Sequence, residues 1–329
     1  MNKLQKAISP AGVYSPEWAV PPQLFHALPL PVTQEDLRLC TGIGTSIAQH
    51  GEIVQGQIVD DHRRRRRFLV SLHCPPLYSK ATFKPVRDRE ITVEPFHKQK
   101  VKRVAELTLR KFDCVFVGGE ITVESNIEEG KGYGSSTADC VAGALAAAEA
   151  VGQRLTEEEV AELVVEAEVA SDNFMFKRAI IFAHREGVVL AELGPRMPRM
   201  EVLGMDTDVD GFVYTLEFPP AEYNWRQIEC FHTMIAALRR AVRVGDLKLL
   251  GRVATASSVM NQQFLPKPLF SDIRRIAELE GALGISVAHS GTTIAVLLDP
   301  SDSGLKGKVD RIYRDLCTLG IKRVLRFQS

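Results

Sequence analysis

Apolar residues recur through most of the chain at the spacings that are typical of helices and strands. In residues 98–111, Val101 and Val104 belong to an apolar set that would lie on one face of a helix. The other segments in which composition or spacing predicts a helix are residues 138–151, 156–171, 225–244, 247–258, 269–283 and 308–319. Thr156, followed three residues later by Glu159, has the pattern of a capping box and indicates a helix start.

Strands are predicted where apolar and polar residues alternate, or where a short apolar run lies between turn residues. Residues 68–72 alternate in this way, and residues 38–57 favour a strand, a turn and a second strand. The other predicted strands are residues 113–117, 120–124, 179–182, 187–193, 212–218, 285–288, 294–298 and 323–327. Helices and strands are mixed in both halves without strict alternation, so we expect an α+β fold rather than α/β.

The length of the chain predicts more than one domain. A chain of 329 residues is longer than one ordinary hydrophobic core supports, which favours two domains. Residues 1–36 are rich in proline and have no sustained periodicity, so we interpret them as an N-terminal extension. We place the N-terminal domain at residues 37–204 and the C-terminal domain at residues 205–329.

The composition excludes several classes of protein. Basic and acidic residues are equal at 41 each, so no global charge attracts the chain to nucleic acid or to a membrane surface. The six cysteines are scattered without a C-x-x-C pair, which is typical of reduced thiols rather than of a zinc site or a disulfide framework. No apolar run approaches the ~18 residues that span a bilayer, and no signal peptide is recognised. We therefore expect a cytoplasmic protein with a small-molecule substrate and with no nucleic-acid or membrane partner.

The strongest chemical signal is a loop rich in glycine and serine at residues 130–137. Glycines let the backbone approach a ligand, and a helix that begins at the serines would present free N–H groups and a positive dipole end to an anion. We expect phosphates to be bound by Gly130, Lys131, Gly132, Tyr133, Gly134, Ser135, Ser136 and Thr137. Lys131 would add a full charge and is also a candidate catalytic residue. By itself, the pattern is equally typical of a glycine-rich turn capped by serine.

The loop fits neither of two common phosphate-binding patterns. The Walker pattern has Ser or Thr after Gly-Lys, whereas Gly132 follows Lys131 here. The dinucleotide fingerprint has a glycine three residues after its second glycine, whereas Ser135 occupies that position. Both of these nucleotide-binding classes are therefore excluded.

The loop instead resembles the phosphate loop of the GHMP kinases, the family that includes galactokinase, homoserine kinase and mevalonate kinase. Residues 48–56 (Ala-Gln-His-Gly-Glu-Ile-Val-Gln-Gly) resemble the N-terminal motif of that family, and residues 286–293 (Ser-Val-Ala-His-Ser-Gly-Thr-Thr) resemble its C-terminal motif. The three motifs occur in the family order. The resemblance implies the two-domain GHMP kinase fold, with a ribosomal-protein-S5-like N-terminal domain and a ferredoxin-like C-terminal α/β sandwich.

Within the family, the likeness is greatest to the L-threonine kinases of cobalamin synthesis. It rests on residues 51–56, 68–71, 77–79, 135–139 and 288–292. The resemblance implies an ATP- and Mg²⁺-dependent kinase that phosphorylates the hydroxyl of L-threonine or a related hydroxy amino acid. Two alternatives stay open: another acceptor within the family, such as homoserine or a sugar, and a nucleotide-binding sensor without turnover. A homodimer also stays open, since symmetric dimers are common.

The resemblance also implies roles for individual polar residues. Ser136 would provide one Mg²⁺ ligand, and a helical glutamate would provide another, for which Glu168 is the first candidate and Glu166 the second. Asp172 matches the family's catalytic aspartate and would orient or deprotonate the acceptor hydroxyl. Asp139, on the first turn after the loop, is the alternative for that role.

The residues expected to face the acceptor come from the other two motifs. They are His50, Gly51, Glu52, Ser290, Gly291 and Thr292. The carboxylate of Glu52 would pair with the amine of an amino-acid acceptor, and the turn at Ser290 and Gly291 would lie beside the phosphate loop. The basic run over residues 63–67 lacks interleaved aromatic residues, so we interpret it as a solvated charged loop rather than a nucleic-acid patch.

Overall fold

The computed structural model describes residues 37–213 and 221–329. The described residues from Arg38 onward form one compact unit. The predicted extension over residues 1–36 lies outside the described residues, and the domain division at residues 204 and 205 stays a prediction.

Seven helices occur among the described residues, and each was expected from the sequence. They are α1 (Gln99–Lys111), α2 (Ser135–Ala150), α3 (Glu157–Glu168), α4 (Trp225–Val244), α5 (Leu247–Asn261), α6 (Phe270–Leu279) and α7 (Leu305–Thr318). The capping box at the start of α3 is confirmed, because Thr156 and Glu159 exchange side-chain and backbone hydrogen bonds. The differences are at helix ends: α2 begins at Ser135 rather than at 138, and α6 ends at Leu279 rather than at 283.

Ten strands occur in the same part of the chain. They are β1 (Gly42–Val59), β2 (Arg65–Val86), β3 (Ile91–Glu94), β4 (Gly118–Ser125), β5 (Ala179–Ala183), β6 (Val188–Gly194), β7 (Glu201–Asp206), β8 (Gly284–Val287), β9 (Thr293–Leu298) and β10 (Leu325–Gln328). The predicted strand over 113–117 is wrong, because Asp113 has a φ of 57° and the chain turns there. Strands β3 and β7 were not expected. Most of the predicted strand over 212–218 lies outside the described residues, and 212–213 are not in a strand.

The strands form one mixed sheet that runs through both halves of the chain. Its order is β10-β7-β9-β8-β1-β2-β4-β3, and the predicted hairpin of β5 and β6 joins it at β2. β1 and β2 are long antiparallel partners, and β1 meets β8 where Glu52 pairs with Val287. The α+β expectation is therefore confirmed, and the junction of the two halves lies at a residue of the predicted N-terminal motif.

Helix α2 approaches β1 at very short range because both surfaces lack large side chains. α2 is rich in alanine and is buried on most of its sides, as expected of a helix without a polar face. A Cβ built at Gly44 would lie 1.9 Å from the carbonyl oxygen of Ala142, so glycine is what permits the approach. This packing sets the position of the N-terminus of α2 relative to the sheet.

Two large apolar clusters complete the core. One joins α4 and α5 to β1, β2 and β7, and it includes Phe68 and Phe231, whose ring centroids are 5.8 Å apart. The other joins α6 and α7 to β7, β8 and β9. Throughout residues 37–213 and 221–329, the helices are too short or too polar to cross a membrane.

Gly44→Ala is expected to lower the free energy of unfolding by about 1–3 kcal/mol, because the added methyl group has no room between β1 and α2. The matched control is Gly307→Ala within α7, where a Cβ meets only the flexible end of Arg311. Alanine at that helical position is expected to stabilise the protein by about 0.5–1 kcal/mol. Chemical denaturation measures both values, and equal stability of the two variants would contradict the close packing of α2.

Candidate active site

A cavity of about 530 Å³ lies where the predicted phosphate loop, the end of α3 and the turn after β8 meet. Gly130, Gly132 and Gly134 in this loop have φ angles of 73°, 97° and 71°, which glycine adopts without strain. Gly134 is the N-cap of α2, and no side chain caps the helix. The first N–H groups of α2 are therefore left for a ligand, and the end of the helix dipole favours an anion.

The turn after β8 lies directly beside this loop, as predicted. The N–H of Thr292 donates to the carbonyl oxygen of Lys131 at 2.9 Å. A Cβ at Gly291 would lie 2.3 Å from the same oxygen, so the close contact depends on glycine. Ser290 lines the cavity. The turn therefore forms one wall of the site, and contact with a substrate stays a prediction.

Glu168, at the end of α3, lies against the loop at the place expected of a metal ligand. Its carboxylate oxygens accept hydrogen bonds from Ser136 Oγ at 2.5 Å and from Thr137 Oγ1 at 2.6 Å. Burial raises the pKa of Glu168, although the charge of Lys100 and the two hydroxyl groups oppose the shift. Glu166 is exposed, lies 4.0 Å from Arg103 and does not line the cavity. Of the two candidates, the geometry favours Glu168.

Asp172 lines the same cavity next to the start of α2. Its N–H donates to Thr137 Oγ1 at 3.4 Å, and a Cβ at Gly134 would lie 2.6 Å from its carboxylate. Burial raises the pKa of Asp172 well above its usual value, and the negative charges of Glu52 and Glu168 add to the shift. A carboxylate with raised proton affinity in a cavity suits a proton acceptor.

Asp139, the alternative for that role, is held in an ion pair. Its carboxylate accepts hydrogen bonds from Ser79 Oγ at 2.6 Å and from Lys98 Nζ at 2.5 Å. Lys98 also contacts Glu129 at 3.0 Å. Because the charge of Asp139 is already neutralised by the half-buried Lys98, the geometry favours Asp172 as the base.

Two lysines at the start of α1 are site residues that the sequence analysis missed. Lys100 Nζ lies 3.1 Å from Ser136 Oγ and 3.7 Å from the carboxylate of Glu168, and Lys98 pairs with Asp139. The sequence contained a signal for them: two lysines at a predicted helix start. Cations at a helix N-terminus are disfavoured by the helix dipole, so their presence indicates another role. Both lysines line the cavity.

Lys131 does not face the expected phosphate position. Its ammonium donates to the carbonyl oxygens of Asp208, Val209 and Gly211 at 2.9, 2.7 and 2.6 Å. It also pairs with Asp206 at 3.0 Å, and only 9% of its side chain is exposed. An ammonium has three donors, and these partners use them. Lys131 therefore holds the loop to the segment after β7, which corrects the expected contact with phosphate.

His50 lies in the core rather than in the cavity. It is fully buried, and its ring packs against Tyr133 and Phe327 with centroid distances of 5.2 and 5.9 Å. A Cβ at Gly204 would lie 2.2 Å from its Nε2, so β7 also depends on glycine here. Burial lowers the pKa of His50 to about 4, which keeps the ring neutral. Its expected role in acceptor binding has no support in this geometry.

Glu52 is likewise used within the protein. Its carboxylate accepts hydrogen bonds from Gln49 Nε2 at 2.9 Å and from the N–H of His289 at 2.8 Å, and His289 Nδ1 lies 3.0 Å away. Gly51 has a φ of 65°, and a Cβ there would lie 2.6 Å from the backbone of Val287. Both residues therefore join β1 to β8, and the expected pairing of Glu52 with an acceptor amine is not supported.

The basic run of residues 63–67 is divided between two environments. Arg64 pairs with Asp60 at 3.0 Å in the β1–β2 turn and is mostly exposed, as expected of a solvated loop. Arg66, in β2, pairs with Asp60 at 3.3 Å with only 11% of its side chain exposed. Arg67 instead lines the cavity and is half-buried. The interpretation of the run as solvated is therefore wrong for Arg66 and Arg67.

Two family models match the chain. The GHMP kinases N terminal domain matches residues 99–176, and the GHMP kinases C terminal model matches residues 234–320. Together they match half of the chain. The region matched by the N-terminal model contains the phosphate loop, Glu168 and Asp172.

Relatives of known activity are similar over much of the chain. An L-threonine kinase of Salmonella typhimurium is 28% identical over 269 residues, which cover 80% of this chain and 85% of that protein. An L-threonine kinase of Citrobacter freundii is 32% identical over 188 residues, which cover 54% of this chain and 62% of that protein. A homoserine kinase of Pyrococcus horikoshii is 26% identical over 225 residues, which cover 65% of this chain and 74% of that protein.

Solved structures share the fold at low sequence identity. A homoserine kinase from Cytophaga hutchinsonii is 15% identical with a TM-score of 0.66, covering 89% of this chain and 96% of that one. A mevalonate pyrophosphate decarboxylase from Streptococcus pyogenes is 12% identical with a TM-score of 0.62, covering 88% of this chain and 97% of that one. Since enzymes with different reactions share the fold, the reaction has to be argued from the site.

Lys131→Met is expected to lower the free energy of unfolding by about 2–4 kcal/mol without nucleotide, because it removes the donor for Asp206 and three carbonyl groups. Lys322→Met is the matched control, since Lys322 is exposed. Chemical denaturation and ATP titration of both variants distinguish a structural role of Lys131 from a role in phosphate binding. Unchanged stability with weaker ATP binding would restore the phosphate contact expected from the sequence.

Proposed function

Because the chain belongs to the GHMP kinase family, we propose that it transfers the γ-phosphate of ATP to the hydroxyl group of L-threonine or a related hydroxy amino acid. The family models and the relatives show a small-molecule kinase. The observation that carries the proposal is that Ser136, Glu168 and Asp172 meet at the N-terminus of α2 within one cavity.

The phosphates of ATP would lie at the uncapped N-terminus of α2. Phosphoryl transfer depends mainly on positioning and on neutralising charge around the transferred group. The free N–H groups and the helix dipole would hold the phosphate oxygens. Lys100, beside Ser136, would add the positive charge that the sequence analysis had assigned to Lys131.

Mg²⁺ fits the pair formed by Ser136 and Glu168. A hydroxyl and a carboxylate offer the oxygen ligands that Mg²⁺ prefers, and kinases commonly complete its coordination with phosphate oxygens. The described residues contain no group of three or more His, Cys, Asp and Glu side chains that could hold a metal alone. Phosphate oxygens and water would complete the coordination of Mg²⁺. Burial disfavours the charged form of Glu168, which a bound cation would offset. When bound, Mg²⁺ would neutralise charge on the phosphates.

Asp172 would act on the acceptor hydroxyl. In the reaction, the acceptor oxygen forms a bond to the γ-phosphorus while the bond from that phosphorus to the β,γ-bridging oxygen breaks, and ADP leaves. The hydroxyl proton would pass to the carboxylate of Asp172, whose pKa is raised by burial. The position of Asp172 beside Gly134 supports this role, because the acceptor would then lie next to the phosphate site.

The relatives favour L-threonine as the acceptor and homoserine as its competitor. The match to the Salmonella L-threonine kinase covers 80% of the chain, whereas the match to the Pyrococcus homoserine kinase covers 65%. Both amino acids carry the alcohol that the reaction requires. The two are therefore compared directly in the first assay.

The purified protein with ATP and Mg²⁺ is expected to convert L-threonine to O-phosphothreonine faster than it phosphorylates homoserine, as followed by ADP release and phosphorus NMR. Asp172→Asn is expected to lower kcat about 10²- to 10⁴-fold with little change in ATP affinity, because it removes the base but not the phosphate site. Asp310→Asn, at an exposed position of α7, is the control. Nucleotide binding without phosphorylation of any acceptor would favour a sensor instead.

Glu168→Gln is expected to raise the Mg²⁺ concentration needed for half-maximal activity about 10- to 100-fold, because it removes the charged metal ligand. Glu166→Gln, only two residues away but exposed, is expected to behave like the unaltered protein. Mg²⁺ titrations at saturating ATP and acceptor measure both. The same Mg²⁺ dependence in the two variants would remove Glu168 from the metal site.

A further inference from the structure

The cavity has a basic end that the phosphate chemistry above does not use. Arg67, His184 and Arg185 line it, and these three residues are called the basic end. It lies close to Asp172, because the N–H of the preceding Ser171 donates to the carbonyl oxygen of His184 at 2.8 Å. A group held at the basic end would therefore belong to a molecule whose hydroxyl reaches Asp172.

Strand pairing brings the basic end together. β2 and β5 pair in antiparallel fashion at Leu69 and Phe182. Arg67 lies two residues before Leu69, and His184 lies two residues after Phe182, just past the end of β5. Continuing the antiparallel register therefore brings Arg67 near His184, whose pKa its charge lowers. Arg185 follows directly in the chain. Arg67 is thus placed by β2 and Arg185 by the turn between β5 and β6, rather than by the turn between β1 and β2.

Neither guanidinium group forms an ion pair in the part of the chain that the structure describes, although the negative charge of Glu222 acts on Arg67 from a greater distance. Arg66 pairs with Asp60 and Glu186, whereas neither Arg67 nor Arg185 has a carboxylate within 4.0 Å among those residues. Burial lowers the pKa of Arg67, and the like charge of Arg185 lowers it further. Charges that are partly removed from water without a partner are costly, so an anion bound between them would be favoured.

Neutral polar groups next to the arginines are also available. His184 is buried, and its Nδ1 has no hydrogen-bond partner among residues 37–213 and 221–329. Burial, together with the charges of Arg185 and Arg67, lowers the pKa of His184 to about 3, so the ring is neutral. Tyr223 lines the same part of the cavity. Guanidinium groups bind a carboxylate through two parallel hydrogen bonds, and such charge-assisted bonds are strong.

We propose that Arg67 and Arg185 bind the carboxylate of the acceptor, so that this kinase selects hydroxy acids over neutral alcohols. The inference rests on the proposed function, because the hydroxyl of the same molecule would face Asp172. It replaces the expectation that recognition depends on Glu52 and the acceptor amine. A phosphate group has the same anionic chemistry, and the carboxylate is chosen because the proposed acceptor carries one.

Arg67→Gln is expected to raise the KM for the acceptor about 10- to 100-fold and to leave the KM for ATP unchanged, because a charge-assisted contact to the acceptor alone is lost. Arg67→Lys is expected to restore part of the loss, since it keeps the charge without the fork of donors. Arg65→Gln, in the same run but exposed and outside the cavity, is the matched control. Steady-state kinetics and thermal denaturation of all variants distinguish binding from misfolding. An unchanged acceptor KM in a folded Arg67→Gln would overturn the proposal.

A comparison of acceptors separates this inference from the proposed function. The unaltered protein is assayed with L-threonine, L-threoninamide, glycerol and glycerol 3-phosphate. Strong preference for L-threonine over its amide supports the inference, and equal use overturns it while the kinase activity stands. Turnover of glycerol 3-phosphate but not of L-threonine or glycerol would support an anion site at the basic end. It would overturn L-threonine as the acceptor.

If no compound is phosphorylated, the same four are titrated calorimetrically into the protein with a non-hydrolysable ATP analogue. Tighter binding of the anionic member of each pair then supports the basic end as an anion site. Binding that does not depend on the anionic group overturns it.

Discussion

The cavity depends on the buried carboxylate of Glu52, which joins the two halves of the chain. It lies where β1 meets β8 and accepts hydrogen bonds from Gln49 on its own strand and from His289 on the other side. His289 in turn lies 3.1 Å from Ser257 of α5. Because a buried carboxylate is costly without partners, these contacts hold the strands and α5 in one arrangement. A residue that first looked like a substrate contact is therefore a structural one.

The parts of the fold that could be predicted from the sequence are those with local signals. Helix α4 begins after a capping box at Asn224 and ends before Gly245, which has the left-handed conformation. Both ends of this helix could therefore be predicted from the sequence. β3 and β7 were not predicted, and their places in the sheet are set by strands elsewhere in the chain. β3 pairs in parallel with β4, and β7 pairs with β9 and with β10 at the end of the chain.

The candidate site divides in the same way. The phosphate loop could be found because its glycines and serines lie within one stretch of seven residues, and their spacing limits the conformations of the backbone. The direction of a long side chain is set by partners far away in the sequence. The ammonium of Lys131 donates hydrogen bonds to carbonyl groups after β7, and Arg67 lines the cavity near the end of β5. The presence of these charges could be predicted, but not their environments.

The bonds of Lys131 limit how such a protein can be recombined with its relatives. The lysine comes from the N-terminal half, whereas its acceptors are main-chain oxygens whose placement depends on the path of the chain after β7. Val213, in that same segment, donates its N–H to the carbonyl oxygen of Gly130. In a chimera that joined this N-terminal half to the C-terminal half of a relative, the chain after β7 would follow a different path. Lys131 would then be buried without its carbonyl acceptors. The loop and the segment after β7 are thus one structural unit, although more than seventy residues separate them in the chain.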